Sequence, residues 1–291
     1  MQIRKANGTI EQFDEKKLVK AISQTGAKID VAHDICNYVK EKCRENYTDN
    51  QPIRTDYIYR LAFKHLKNVS KASALKFSLK RSMLEIGPSG FPFEKFIAHI
   101  WKHDGYSAIT GQMVYGKCVS HEVDVIAWKE GQLVMVEAKF HSDAGSRTDL
   151  KNALYVKARY DDINGNEYNI NSFDEKYTRG LPTKMSKNLT EGWLITNTYF
   201  SDTAITYANC NNLKLMSFDY PDGMSLQDKI IEYDLYPVTI LTTLSKEEKK
   251  RLIEKDIILC KTLHKESHIL IEMGIDSERV YSVLEEVSTL L

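Results

Sequence analysis

Four consecutive apolar residues, Leu133-Val134-Met135-Val136, run directly into Glu137-Ala138-Lys139-Phe140. A continuous apolar run this short is what a strand covered on both faces looks like. Charge enters only at its end. Because side chains alternate along a strand, Glu137 and Lys139 share one face, and a carboxylate and an ammonium meet at the rim of a core. The stretch Val123-Asp124-Val125-Ile126-Ala127 carries another carboxylate among apolar residues, with 12 residues between Asp124 and Glu137. The turn dipeptide Glu130-Gly131 lies between the two, so a hairpin brings Asp124 beside Glu137. Two carboxylates converging on one point suit Mg²⁺ or Mn²⁺, hard ions that prefer oxygen ligands. Such an ion stabilises the charge developing on a phosphodiester, and Lys139 can orient or help deprotonate an attacking water.

The rest of the chain changes its grammar around this centre. With 291 residues, 42% hydrophobic and 27% charged, it has room for two or three globular domains. Leu84-Glu85-Ile86-Gly87-Pro88-Ser89-Gly90-Phe91-Pro92 halts any helix and marks a boundary, giving expected domains at 1–88, 89–240 and 241–291. The first is mostly helical, with Leu18, Ala21 and Ile22, then Ile35, Tyr38 and Val39, then Ile58, Leu61 and Ala62 at helical spacing. It opens with two short strands, Gln2 to Phe13, around the hairpin dipeptide Asn7-Gly8.

In the second, Phe93, Phe96, Ile97, Ile100 and Trp101 predict an amphipathic helix, followed by strands over 108–114, 122–128 and 132–140. A helix over 148–161, a polar looping stretch, a strand over 193–198, a helix over 202–209 and a strand over 213–219 complete it. The order predicts an α/β multi-domain chain whose central mixed sheet has helices on both faces. In the third, Ser245-Lys246-Glu247-Glu248 has the form of a capping box, and short helices follow around 257–263, 269–273 and 277–287.

Bulk properties exclude some classes. No apolar run approaches the roughly 20 residues that cross a bilayer, so no membrane partner is expected. Met1 to Asn7 is polar and does not open a signal peptide. Cys36, Cys43, Cys118, Cys210 and Cys260 are an odd, scattered set without a C-x-x-C pair, which fits a reducing cytoplasm. Net charge is zero, yet residues 1–90 hold 17 Lys and Arg against 10 Asp and Glu, so that segment is about +7 and the remainder about −7. An anionic ligand is expected toward the N-terminal end. No Walker A sequence occurs, so an ATPase of that type is excluded.

The segment from Gly105-Tyr106 to Lys139, with Ser120-His121-Glu122-Val123-Asp124 and Val136-Glu137-Ala138-Lys139-Phe140, resembles the Mrr-like branch of the PD-(D/E)XK restriction endonucleases. The likeness extends to the helix bearing Glu94, the helix from Thr148 to Arg159 and the strand Trp193-Leu194-Ile195-Thr196-Asn197. It implies a restriction-endonuclease-like αβββαβ core, with Asp124 and Glu137 as metal ligands, the Ala138 carbonyl as a further ligand and Lys139 as the catalytic lysine. Glu94 matches the family's accessory acidic residue, and His121 stands where it could touch phosphate or the attacking water. Lys151, Tyr155 and Arg159 fall at i, i+4 and i+8 of one helix and could grip a phosphate backbone or form a solvent-facing stripe.

The first 90 residues resemble the ATP-cone, a regulatory nucleotide-binding domain, in Ile3-Arg4-Lys5-Ala6-Asn7-Gly8, Glu11-Gln12-Phe13-Asp14 and Lys16-Lys17-Leu18. The resemblance implies ATP or dATP as effector and Lys5, Glu11, Asp14, Lys17, Thr55 and Arg81 as its contacts. Ala6 departs from the family, which has a second basic residue there. Met273-Gly274-Ile275 has the form of a helix-hairpin-helix, whose amides can bind DNA phosphates, although a packing or dimerisation role fits equally.

Together these imply a Mg²⁺-dependent DNA endonuclease regulated by ATP or dATP. The alternative is a non-catalytic nucleotide-sensing, DNA-binding regulator built on a nuclease fold. RNA as substrate and a homo-oligomeric state stay open.

Overall fold

The computed structural model describes residues 1–46, 51–87, 89–164 and 189–291. Pro88, where the sequence ends the first domain, and residues 165–188 of the polar stretch expected after the helix over 148–161 lie outside the described residues. The chain divides into two compact units: Met1–Glu85 with Asp143–Gly145 and Tyr236–Leu291, and Ile86–Ser142 with Ser146–Leu235. The architecture is a mixed α/β one with several sheets.

In the first unit, β1 (Gln2–Arg4) and β2 (Ile10–Gln12) form the expected antiparallel hairpin. Gly8 takes φ 84°, the left-handed conformation that glycine adopts without cost. The Asn7 carboxamide accepts the Thr9 N–H at 3.1 Å and closes the turn. The helices α1 (Glu15–Ser23), α2 (Ile29–Asn46) and α3 (Thr55–Val69) follow the apolar spacing, and Ile22, Ile35, Val39, Ala62 and Leu66 are wholly buried in their shared core. One strand of this unit leaves no pattern in the sequence. β3 (Ile53–Arg54) pairs parallel with β1, because Ile53 buries its side chain in the same core as Ile3. Two short helices, α4 (Lys71–Phe77) and α5 (Leu79–Leu84), end this part.

The second unit opens with α6 (Phe91–His103), which packs on β4 (Ser107–Tyr115), β5 (Ser120–Lys129) and β6 (Gln132–Lys139). These strands are antiparallel neighbours, and Gly131 (φ 71°) makes the tight turn between the last two. The helix expected from Thr148 begins later. Arg147–Thr148 is a short strand, β7, and α7 runs over Leu150–Asn164, since buried Thr148 gives its carbonyl to the Ser201 N–H.

β8 (Glu191–Thr196) lies parallel to β6, while β9 (Tyr199–Phe200) pairs with β7. Next come α8 (Asp202–Cys210), capped by Ser201, and β10 (Lys214–Met216), shorter than the sequence suggested. The main sheet has the order β10-β8-β6-β5-β4. Leu133 and Met135 of β6 face a core shared with Ala153 and Val156 of α7 and Ala204 of α8. A further helix, α9 (Leu226–Glu232), absent from the expected elements, is held by a capping box between Ser225 and Asp228.

The C-terminal helices α10 (Lys246–Glu254), α11 (Cys260–Lys265), α12 (His268–Glu272) and α13 (Ser277–Ser288) fall in the same unit as the N-terminal residues. The Thr239 hydroxyl donates to the Ser82 carbonyl at 2.8 Å, tying this segment to α5. Ser245 and Glu248 form the expected capping box on α10. Gly274 turns at φ 81° between α12 and α13. The described residues contain no helix long and apolar enough to cross a membrane.

Candidate functional site

Two places gather chemistry-bearing residues, one in each unit. In the second unit the last ladder pair between β5 and β6 is Val125 with Val136, so Asp124 and Glu137 are the next residues along, where the hairpin opens. Asp124 accepts the Ala138 N–H at 2.7 Å, which turns its carboxylate toward β6. Glu137 is half-buried and continues the face of Leu133 and Met135. Lys139 lies two residues on, exposed and without an ion pair among the described residues.

Glu94, in the first turn of α6, completes the group. Burial first, then the charges of Asp124 and Glu122, push its carboxyl up to about 7. Burial also raises Asp124, against the Ala138 N–H and Arg159. Glu137 is raised by burial and then by Asp124, while Arg159 and Lys139 pull the other way. The structure thus assembles Glu94, Asp124 and Glu137 within mutual electrostatic reach, and the dominant cause is loss of solvent around charges of one sign.

Arg159 also enters this site, from α7. Its Nη1 donates to the Glu137 carboxylate and, at 2.8 Å, to the Glu122 carbonyl; Nη2 donates to the Tyr155 hydroxyl at 2.7 Å. Arg159 is 9% exposed, so it belongs to neither a phosphate-gripping nor a solvent-facing stripe, the two readings open to it in the sequence. A signal was available: Ala153, Val156 and Ile163 are the buried stripe of α7, and 159 falls between the last two at helical spacing. His121 is likewise engaged elsewhere. Its Nε2 lies 2.7 Å from Asp162, whose carboxylate also receives the Cys118 and Val119 N–H groups and is pushed down to about 2, chiefly by His121. Asp162 thus ties the β4–β5 turn to α7, and this histidine is its partner. No group of three or more His, Cys, Asp or Glu side chains among the described residues is arranged as a ready metal cage.

In the first unit, Glu11, Asp14 and Lys17 line an open cleft of about 1,090 Å³ together with Lys16, His33 and Asn37. Lys5 reaches it indirectly, through an ion pair with Glu11 at 2.6 Å across the hairpin. Asp14 has a structural duty as well. It caps α1, accepting the N–H groups of Lys16 and Lys17 at 2.9 and 3.3 Å. Thr55 begins α3, outside the lining of this cleft. Arg81 pairs with Asp56 at 2.6 Å and lies over the Tyr59 ring at 3.5 Å, so its guanidinium is held within the helical part. The cleft therefore gathers three of the six expected contacts.

The family models that match this chain fall in the first unit. Residues 1–83 match the family model described as ATP cone domain, and residues 236–291 match AF1548-like, C-terminal. The N-terminal segment is thus an ATP-cone domain, a class that binds nucleotide effectors such as ATP or dATP. An uncharacterized protein from Archaeoglobus fulgidus is 29% identical over 196 residues, 67% of this chain and 99% of its own length. A crystal structure described as that of a protein of unknown function, AF1548, aligns with TM-score 0.53 and 28% identity, covering 69% of this chain and 98% of that one.

Proposed function

We propose that this protein is a divalent-metal-dependent DNA endonuclease whose activity responds to ATP or dATP bound in the N-terminal domain. The observation that carries the proposal is the convergence of Glu94, Asp124 and Glu137 at the opening of the β5–β6 hairpin, with Lys139 on the same face of β6 as Glu137. The restriction-endonuclease-like core is part of this reading, supported by the order of helix, three antiparallel strands, helix and parallel strand.

The residues present fit a hard cation. These are half-buried carboxylates of like charge, each pushed upward by burial and only partly compensated by Arg159 on Glu137, a donor set of hard oxygens that suits a divalent ion. Asp124 and Glu137, with the Ala138 carbonyl, would hold Mg²⁺ or Mn²⁺, and Glu94 would add charge from α6. When bound, such an ion stabilises the negative charge that develops on a phosphodiester. The chain's own contribution is positional. The Ala138 N–H fixes Asp124, the strand fixes Glu137, and the Lys139 ammonium is free to hold an attacking water or the phosphate oxygens.

In the ATP-cone domain, Lys17 and Lys5 supply cations for a polyphosphate, and Glu11 can accept a hydrogen bond from an adenine amino group or ribose hydroxyl. No Walker A loop is present to drive hydrolysis, so the nucleotide acts as an effector, stabilising whichever conformation binds it better. Plasmid DNA incubated with Mg²⁺, with and without ATP, tests the whole reading: nicking or linearisation is expected from the native chain and not from Lys139→Ala. Absence of cleavage under every condition, or unimpaired cleavage by that variant, refutes the catalytic claim.

A second reading draws on one contact. The Arg159–Glu137 ion pair already engages one of the carboxylates, which favours a non-catalytic nucleotide sensor that binds DNA. Metal-independent DNA binding without cleavage would select it.

A further inference from the structure

Arg159 stands out among the charged groups of the second unit. Its guanidinium bridges three elements, through the Glu122 carbonyl on β5, Glu137 on β6 and the Tyr155 hydroxyl one turn back on α7. The side chains of Arg159 and Glu137 are 10% and 19% exposed, so this is a largely desolvated pair. The Arg159 Nε is buried and has no hydrogen-bond partner among the described residues. The guanidinium is thus incompletely compensated where it sits, and a divalent cation, carrying twice its charge, can compete with it for the Glu137 carboxylate.

We infer that Arg159 is a resident counter-cation that competes with the divalent ion for Glu137, keeping the carboxylate cluster closed until metal displaces it. The inference rests on the endonuclease reading above and adds a means of limiting metal loading. Its logic is electrostatic. Without Arg159, three neighbouring carboxylates would repel one another across a poorly hydrated gap, and only an arriving cation could relieve them. With Arg159 in place one charge is already neutralised. A divalent ion must then break the Glu137 contact or tolerate a positive neighbour at short range. Lys139 does not offer the same compensation, because its ammonium is exposed and screened by solvent.

The test is Mn²⁺ binding to the full chain, followed by calorimetry and by the paramagnetic resonance of free Mn²⁺, neither of which depends on cleavage. Arg159→Gln is expected to bind Mn²⁺ about tenfold more tightly than the native protein, the size of effect that removing one close like charge gives. Arg159→Lys, which keeps the charge, is expected to stay near the native affinity. Equal or weaker binding by Arg159→Gln overturns the inference while leaving the metal site standing. Should Arg159→Gln lack a cooperative melting transition, Tyr155→Phe decides, since it removes one anchor of the guanidinium at an exposed position. An increase of about twofold to threefold is then expected, in line with the loss of one hydrogen bond, and an unchanged affinity overturns the inference. Absence of Mn²⁺ binding by the native chain, or full affinity in Glu137→Gln, refutes the metal-site reading itself, and the competition falls with it.

Discussion

The two charged regions of this protein use the same residue types in opposite ways. At the opening of the β5–β6 hairpin, Glu94, Asp124 and Glu137 have lost solvent, and burial raises all three. In the ATP-cone domain, Lys5 and Glu11 neutralise each other across the hairpin with side chains 41% and 34% exposed. Buried carboxylates of like sign, only partly offset by Arg159, favour the arrival of a cation. Exposed, mutually paired charges cost little to separate and can be rearranged by an arriving nucleotide. On the proposed reading the first arrangement serves catalysis and the second reversible sensing.

That contrast can be broken experimentally, and the largest effect is expected at the buried cluster. Asp124→Asn keeps an oxygen able to accept the Ala138 N–H, so the fold should survive, seen as an unchanged circular dichroism spectrum. Plasmid cleavage should nevertheless fall by at least about 10²-fold to 10³-fold, as when a single group stabilising transition-state charge is removed. Retention of activity would place the chemistry elsewhere.

A core substitution in the ATP-cone domain should act on stability alone. Ile35→Ala removes a side chain that is wholly buried, and a loss of about 2–5 kcal/mol is expected in urea denaturation of the first unit. Cleavage of DNA without nucleotide should be nearly unaffected at temperatures where the second unit stays folded; a parallel collapse of activity would show that the two regions are not separable.

Smaller effects belong to the exposed region. Lys17→Ala is expected to weaken ATP binding about tenfold in calorimetry, the usual scale for a charge-assisted contact, while Lys139→Ala leaves ATP affinity unchanged. Equal losses in both would erase the distinction.

The smallest effect concerns charge used only for architecture. Glu248 is pushed down to about 2, first by Arg279, with the Ser245 cap assisting. A depressed carboxyl stabilises the fold above its ordinary range, and that contribution is lost as pH falls from there toward about 2. Denaturation midpoints across that acid window should therefore drop less in Glu248→Gln than in the native chain. Ser245→Ala should cost about 0.5–2 kcal/mol at neutral pH, the usual range for a helix cap.

Much of the local structure was legible in the sequence because it follows from neighbours in the chain. Asn7-Gly8 specifies a hairpin turn, Ser245 and Glu248 cap a helix between themselves, and Leu133 to Val136 can only be a covered strand. The short elements were harder. β3 has two residues and no periodicity, and the Ser225–Asp228 cap has the same form as the one recognised at Ser245. Thr148 looked like a helix start because nothing local announces that its partner strand lies at Tyr199–Phe200.

The candidate sites divide along the same line. Alternation alone puts Glu137 and Lys139 on one face, and hairpin register alone sets Asp124 beside Glu137. The arrival of Glu94 from α6 and the closing of Arg159 onto Glu137 are matters of tertiary packing, as is the engagement of His121 by Asp162. A sequence fixes the direction in which a side chain leaves its own strand or helix, since backbone geometry repeats. It does not state which other element will be packed opposite, and the pairing and titration of a buried charge depend on that neighbour. The carboxylate pair was therefore readable from the chain, whereas the guanidinium that holds Glu137 was decided only when α7 folded against the sheet.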